Sequence, residues 1–289
     1  MLKRFSHIRA YLRWYILGLL LILSFVLWST VIRENRQGIL TVVFLNVGQG
    51  DSIFIESPTG IQVLIDGGPN NALMKEISSI LPWYDRKIDM LVVTNPDKDH
   101  YEGFIPFLKK YKTDVVLEPG TTNKSEAYSL LEDEIINKKI PKIIARRGQI
   151  IDLGGSAYLR VIFPDRDISG LNPNDGSIVM QLVYGETSVM LQGDSPTNIE
   201  HFLVSLENNL KSTILKAGHH GSRTSSSEEY VKAVDPEWVV ISAGKNNTYG
   251  HPHKEVLDIL NKLKVPIIGT YDVGQVIFES DGKRFLLKR

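Results

Sequence analysis

Thr94-Asn-Pro-Asp-Lys-Asp-His-Tyr-Glu-Gly103 puts Asp97, Asp99 and His100 within four residues, directly after the apolar run Met90 to Thr94 (MLVVT). A short β-branched run closed by a turn reads as a buried strand. Three ionisable groups crowded at its end repel one another or stand idle unless a cation gathers them. The arrangement recurs along the chain. QVLI leads into Asp66-Gly67-Gly68 and SVMLQ into Gly193-Asp194-Ser195; STILK leads into Gly218-His219-His220-Gly221-Ser222, and WVVIS into a loop ending Gly250-His251-Pro252-His253. If these strands share one sheet and one direction, all five loops emerge at one edge, where α/β proteins place ligand sites.

Five of the seven histidines fall in these loops, and the chain has no cysteine. A metal would therefore sit on His, Asp, Glu or Asn, the raw material of a divalent-metal hydrolase. Single motifs have plainer readings. An isolated Asp-Gly-Gly is an ordinary turn, and His253 fits as the start of a helix. Two adjacent imidazoles between glycines, His219 and His220, have no core-packing reason.

Around the loops the chain alternates. Strands are expected at Leu40 to Val47, Ser52 to Glu56, Gln62 to Ile65, Met90 to Thr94 and Asp114 to Leu117, and through a β-rich stretch from Ile143 to Gln192. STILK, WVVIS and PIIGT add three more. Helices are expected at Ala72 to Leu81, Gly103 to Lys110, Ser125 to Asn137, Thr197 to Asn208, Glu228 to Ala233 and His253 to Leu263. The periodicity alone gives an α/β or α+β class; the opening strands, mixed alternation and central β-rich stretch suggest two sheets covered by helices.

Composition bounds the rest. Of 289 residues 43% are hydrophobic and 23% charged, the balance of a folded chain, and 33 basic residues cancel 33 acidic ones. No global field draws the protein to nucleic acid. The N-terminus stands apart: Trp14 to Ile32 carries no charge over nineteen residues, roughly 28 Å of helix, close to a bilayer's hydrocarbon thickness. Lys3, Arg4, Arg9 and Arg13 precede it. The positive-inside rule then gives a basic cytoplasmic segment (1–13), one membrane span (14–32), a polar linker (33–38) and an extracytoplasmic domain (39–289). One such span cannot form a pore by itself.

The motifs Phe44-Leu-Asn-Val-Gly-Gln-Gly-Asp-Ser52, Leu64-Ile-Asp-Gly-Gly68, Thr94 to Gly103, Gln192-Gly-Asp-Ser195 and Leu215-Lys-Ala-Gly-His-His-Gly-Ser222 follow one another in order. Together they resemble the ComEC/Rec2 branch of the metallo-β-lactamase-fold hydrolases, over essentially the whole chain from Thr41 onward. The resemblance implies a four-layer αβ/βα sandwich with a metal centre at its open edge and hydrolytic, phosphodiester-cleaving chemistry. It implies metal ligands among Asp97, Asp99, His100, Asp194, His219 and His251. It implies catalytic roles for Asp99, His219, His220 and, behind the loop, Asp66. Lys98, Ser222 and His253 would contact substrate. The cofactor expected is a divalent metal, zinc first and manganese as the alternative, as one or two ions.

One position departs from the family pattern. The metal loop normally opens with histidine, and here that position is Asn95, a poor ligand for first-row metals. Two alternatives follow: a hydrolase with one firm metal position, or a nucleic-acid-binding scaffold that has lost catalysis. A hydrolase of another ester or amide is a third reading, since the fold hosts many chemistries. DNA and a separate membrane channel protein are the partners expected. A local basic run, Lys138, Lys139, Lys142, Arg146 and Arg147, offers itself to phosphates, although such runs are more often solvated surface.

Overall fold

In β1 (Leu40–Phe44) the side chains of Leu40, Val42 and Phe44 enter one buried cluster and Val43 enters another, so the strand is apolar on both faces. A period of two with both faces buried demands a layer on either side. The computed structural model describes residues 2–34 (side chains of 11–28), 38–121, 123–206 and 209–288. It supplies those layers.

The strands after β1 are β2 (Ile53–Glu56), β3 (Gln62–Ile65), β4 (Lys87–Val92), β5 (Lys112–Glu118), β6 (Lys142–Ile144), β7 (Ile150–Asp152) and β8 (Ala157–Phe163). Then come β9 (Val179–Tyr184), β10 (Thr187–Leu191), β11 (Ile214–Lys216), β12 (Trp238–Ile241), β13 (Ile267–Gly269), β14 (Val276–Ser280) and β15 (Phe285–Leu287). They form an eight-stranded sheet, β15-β14-β1-β2-β3-β4-β5-β6, and a seven-stranded sheet, β13-β12-β11-β10-β9-β8-β7. The helices are α1 (Leu2–Glu34), α2 (Ala72–Ile80), α3 (Lys98–Tyr101), α4 (Phe104–Leu108), α5 (Glu126–Asn137), α6 (Thr197–Leu206), α7 (Glu228–Val234), α8 (Lys254–Lys262) and α9 (Thr270–Val273).

Three cores define four layers. Val42, Phe44, Ile65 and Val92 of the first sheet meet Leu159, Met180, Leu191 and Val240 of the second in the central core. Leu73 and Ile77 of α2, Phe104 and Phe107 of α4 and Leu131 of α5 cover the first sheet's outer face. Leu203 of α6, Tyr230 and Val231 of α7 and Val256 of α8 cover the second. This is the expected αβ/βα sandwich.

The strands that feed the five loops do not share one sheet. β3 and β4 run parallel in the first sheet, whereas β10, β11 and β12 run parallel in the second. The loops meet because the two parallel sets end at the same edge of the sandwich. The helix expected from Gly103 begins earlier, as α3, so Asp99 and His100 sit on a helical turn rather than in a loop. The strand β1 ends at Phe44, three residues short of expectation, where the chain turns into Gly48-Gln49-Gly50. The sequence reading stopped at PIIGT and missed β14, which pairs antiparallel with β1 (Val42 opposite Phe278). Thr197 to Leu206 is helical, and residues 207–208 of the expected helix lie outside the described residues.

The N-terminal unit, residues 1–37, is described by itself. Helix α1 runs unbroken through the basic segment and the apolar run to Glu34. Its stretch Tyr11–Trp28 is long and apolar enough to cross a membrane, and its side chains are exposed. Of the expected linker, residues 33 and 34 finish the helix and 35–37 lie outside the described residues.

Candidate metal centre

Strand β4 leaves its ladder at Thr94, whose N–H donates to Asp66 Oδ1 (2.7 Å) and whose hydroxyl donates to Oδ2 (2.6 Å). The loop after β3 then locks to α3: Gly67 N donates to His100 O (2.5 Å) and Gly103 N to Gly68 O (2.9 Å). The approach is so close that a Cβ on Gly103 would lie 2.0 Å from Gly67 O. Only glycine fits there.

On the other sheet, β11 ends in the turn Gly218–Gly221, where His219 (φ +48°) and His220 (φ +56°) are both left-handed. Such backbone at non-glycine residues costs roughly 1–3 kcal/mol each and persists where the surroundings over-determine it. Here His219 N donates to Gly193 O (3.1 Å) and Ser222 N to His219 O (2.8 Å). The buried Glu200 carboxylate accepts from Gln192 Nε2 (2.8 Å), Ser226 N (2.5 Å) and Ser227 N (2.8 Å), pinning the chain beyond the turn.

Asp99, His100, Asp194 and His220 thereby converge, with one ligand atom from each all within 4.8 Å of one another. The buried His220 Nδ1 lies 3.1 Å from Ser242 O, a carbonyl that only accepts, so Nδ1 carries the proton. In the neutral ring the Nε2 lone pair then faces Asp99 Oδ2 (3.1 Å) and Asp194 Oδ1 (3.7 Å). His100 repeats the logic: Nδ1 lies 2.8 Å from Asp66 Oδ2, and Nε2 lies 3.0 Å from Asp194 Oδ2. That last contact is close but off the line of a hydrogen bond. Among the described residues, neither His100 Nε2 nor Asp194 Oδ1 has a hydrogen-bond partner. A lone pair aimed at a carboxylate needs either a proton on Nε2 or a cation between, and an imidazole backed by a carboxylate or carbonyl is how proteins orient a metal-ligating histidine. The donor set of two carboxylates and two imidazoles fits a divalent ion such as zinc or manganese.

Charge points the same way. Burial raises the Asp194 carboxyl, but His100, His220 and His219 outweigh it and hold the group well below its usual range. Burial lowers His220, but Asp194 and Asp51 reverse this and push it up to about 10. His100 is raised likewise against burial, by Asp194 and Asp66. The carboxylates thus favour positive charge where the two imidazoles meet.

Two residues that the sequence reading passed over complete the centre. Asp51, after the glycine turn of the first sheet, and Lys216, the last residue of β11, form a fully buried ion pair across the sandwich. Asp51 Oδ1 also lies 3.3 Å from His220 Nδ1, and Lys216 Nζ donates to Gly193 O (3.3 Å). Burial raises the Asp51 carboxyl, yet Lys216, His220 and His100 together bring it to about 2. The available signal was a lysine closing an apolar strand where neighbouring strands end in ligands.

The other expected residues divide. Asp97, Lys98, His219 and His251 line the same cleft, about 370 Å³ in volume, with Gln49, Asn123, Ser125 and Tyr249. They stand outside the tight group of four. His251 is pushed down to about 4, first by burial and then by His220, His219 and His253. Ser222 and His253 are not among the lining residues. Ser222 Oγ pairs with Thr224 Oγ1 (3.0 Å), and His253 Nδ1 accepts from Arg223 N (3.1 Å), so both are occupied in bracing the loop. Asn95 is fully buried: Nδ2 donates to Asn174 Oδ1 (2.7 Å) and Ser177 Oγ (3.3 Å), and Oδ1 accepts from Asp97 N (3.0 Å). The basic run is not a free stripe. Lys142 is paired with Glu118 (3.0 Å) and Glu132 (2.7 Å), and Arg146 donates to Pro119 O (3.1 Å) and Ala145 O (2.7 Å).

Comparisons with known proteins agree with this architecture. The chain is 27% identical over 262 residues to ComE operon protein 3 of Bacillus subtilis, covering 81% of this chain and 32% of that protein. It is 28% identical over 237 residues to Recombination protein 2 of Haemophilus influenzae, covering 80% of this chain and 28% of that one. The chain thus spans about a third of the length of these ComEC/Rec2-type relatives. Among solved structures, the metallo-beta-lactamase fold protein YhfI from Bacillus subtilis superposes with a TM-score of 0.56 at 10% identity, covering 83% of this chain and all of that one, which bears on the fold alone. Residues 45–245 match the metallo-beta-lactamase superfamily profile, a span that begins just after β1 and holds the whole converging group. With the four-layer sandwich and a metal-suited group at its edge, that match means the chain belongs to the metallo-beta-lactamase superfamily, and membership indicates a metal-dependent hydrolase.

Proposed function

We propose that the chain is a membrane-anchored, metal-dependent phosphodiesterase that acts on DNA outside the cytoplasmic membrane. The observation that carries the metal-dependent part is the pair of oriented imidazoles, His100 and His220, whose Nε2 atoms face two carboxylates in the interior. The ComEC/Rec2 relatives, with names tied to competence and recombination, support DNA as substrate. The N-terminal apolar helix and the basic residues that precede it support anchoring with the N-terminus inside.

Asp99, His100, Asp194 and His220 would hold the ion. When bound, the ion supplies an acidified water and stabilises the negative charge that develops on a phosphoryl group. Asp66 fixes the His100 ring through Nδ1, and Ser242 O fixes His220. His219, partly exposed beside Asp194 (3.6 Å), has its basicity lowered, chiefly by burial, and faces the cleft where a leaving group would take up a proton. Lys98, exposed on the rim and paired with Glu102 (3.2 Å), would meet a phosphate by exchanging that partner.

The full chain in detergent micelles, loaded with manganese or zinc, should cut labelled single-stranded or duplex DNA, and spheroplasts expressing it should cut DNA supplied from outside. Asp99→Ala and His100→Ala should abolish both activities, because losing the ion removes nucleophile and charge stabilisation together. A metal-loaded chain that binds DNA and never cuts it would establish the scaffold reading, which the amide at position 95 favours.

A further inference from the structure

The ion-suited group occupies the floor of the cleft; its walls differ from each other. One wall carries Asp97, Lys98, Asn123 and Ser125, all polar. The other carries rings. His251 stands edge-on to His219 (centroids 5.6 Å, 73°), and Tyr249 stacks on His251 (5.7 Å, 24°). A run of rings therefore leads from the histidines at the floor to Tyr249 at the mouth. Tyr249 is 66% exposed.

A lone exposed aromatic is ordinary on a protein surface. Tyr249 differs in being held. Asn247 Oδ1 accepts from Tyr249 N (3.1 Å) and His251 N (3.0 Å), while its Nδ2 donates to Gly244 O (2.9 Å) and His251 O (2.5 Å). Gln49 Nε2, from the turn between β1 and β2, meets His251 Nδ1 (3.2 Å). One side chain thus ties the loop after β12 at four points, and a second ties its imidazole across the cleft. The exposed ring is pre-organised, which lowers the entropy a ligand must remove on binding. By contrast Trp83, 82% exposed, lines no part of the cleft. The volume, about 370 Å³, lies in the range of small-ligand sites, about 300–1,000 Å³.

A ligand that fills this space needs a charged end for the floor and Lys98 and a flat apolar face for Tyr249. A nucleotide unit has both, and any base can stack because every base has a π-face. Resting on the phosphodiesterase reading above, we propose that Tyr249, backed by His251, is a stacking platform for a nucleobase beside the scissile phosphate. It makes the cleft selective for nucleotidyl phosphodiesters over diesters without a base.

The test compares two single-stranded oligonucleotides of equal charge, one with normal bases and one with abasic tetrahydrofuran units flanking the cleavage position. The manganese-loaded full chain should prefer the base-bearing strand in kcat/KM by about five- to hundredfold, the size of one base–aromatic stack. Tyr249→Leu should bring that ratio close to one, with the loss in KM, and Tyr249→Trp should restore it. An unchanged ratio in Tyr249→Leu overturns the proposal. If the wild type cuts neither strand, the phosphodiesterase reading has failed, and stacking is then read from fluorescence of a bound 2-aminopurine oligonucleotide. Quenching that disappears in Tyr249→Leu upholds the platform; binding without quenching, or no binding, overturns it.

Discussion

On one side of the cleft His100, Asp194 and His220 are buried, and each imidazole is fixed by a partner behind it, Asp66 or Ser242 O. Toward the open mouth Asp97, on one wall, and His219 and His251, on the other, are partly exposed, and the residue that opens the Asp97 loop is an asparagine turned toward Asn174 and Ser177. The buried side gathers Asp51, Asp66, Asp194 and the part-exposed Asp99 about the two imidazoles, with the ammonium of Lys216 paired to Asp51. Burial makes that imbalance costly, because low dielectric strengthens every unscreened charge. The open side carries less charge and can shed it to water. The difference teaches that the two parts are built differently, and one firm cation position, on the buried side, is what that difference predicts.

The comparison is tested most severely at Lys216. Removing one member of a buried ion pair leaves the other uncompensated, at a cost of about 3–5 kcal/mol. Lys216→Met should therefore lower the melting temperature of the full chain sharply, since Asp51 would remain buried beside Asp66 and Asp194. Adding Asp51→Asn to it should recover most of the loss, because pairs removed together are often neutral. If the double variant is no better than the single one, Lys216 matters for packing rather than charge.

A smaller effect is expected behind His100. Asp66→Asn keeps the size of the side chain but replaces a carboxylate with an amide opposite Nδ1, so the ring loses both orientation and basicity. Changes of this kind cost roughly ten- to hundredfold in metal affinity. Titrating the full chain with manganese before and after substitution reads this directly. The same measurement on Asp97→Asn, on the open side, should show the lesser loss; a reversal of that order would contradict the contrast between the two sides.

How far the sequence foretold this follows from distance along the chain. Asp99, His100, Asp194, His219 and His220 were legible because each follows its own strand within a few residues, a local pattern of apolar run and polar turn. Two helix-covered sheets were legible in the opening strands, the mixed alternation and the β-rich stretch. The four-layer order came only through the family resemblance; apolar strands such as β1, buried on both faces, are its physical basis. The Asp51–Lys216 pair was not, since its members stand 165 residues apart and each belongs to a motif that reads well without the other. The division of strands between two sheets was hidden for a similar reason: parallel pairing is set by crossover helices rather than by the strands' own residues. Strand β14 was missed because it pairs with β1 from the far end of the chain. Ser222 and His253 were placed at the substrate by their nearness to ligands in sequence, whereas their side chains are occupied by Thr224 and Arg223 N.

The smallest effect is expected at Asn95, and it decides what the open side is. Its amide makes two donor bonds and one acceptor bond, so it holds the start of the metal loop as a structural group. Asn95→His removes the pattern that one buried amide satisfies and adds volume in a packed interior, which commonly costs about 1–3 kcal/mol of stability. In exchange it offers an imidazole beside Asp97, near His219. A second manganese or zinc ion should then bind, more weakly than the first, in metal analysis of the dialysed chain. Because Asp194 serves the first ion and also faces His219, the first site should hold or weaken rather than strengthen. A strengthened first site would show that both sides act on one ion. Unchanged stoichiometry with intact folding would show that the loop's geometry, and not the ligand alone, keeps the open side free of a firmly held ion.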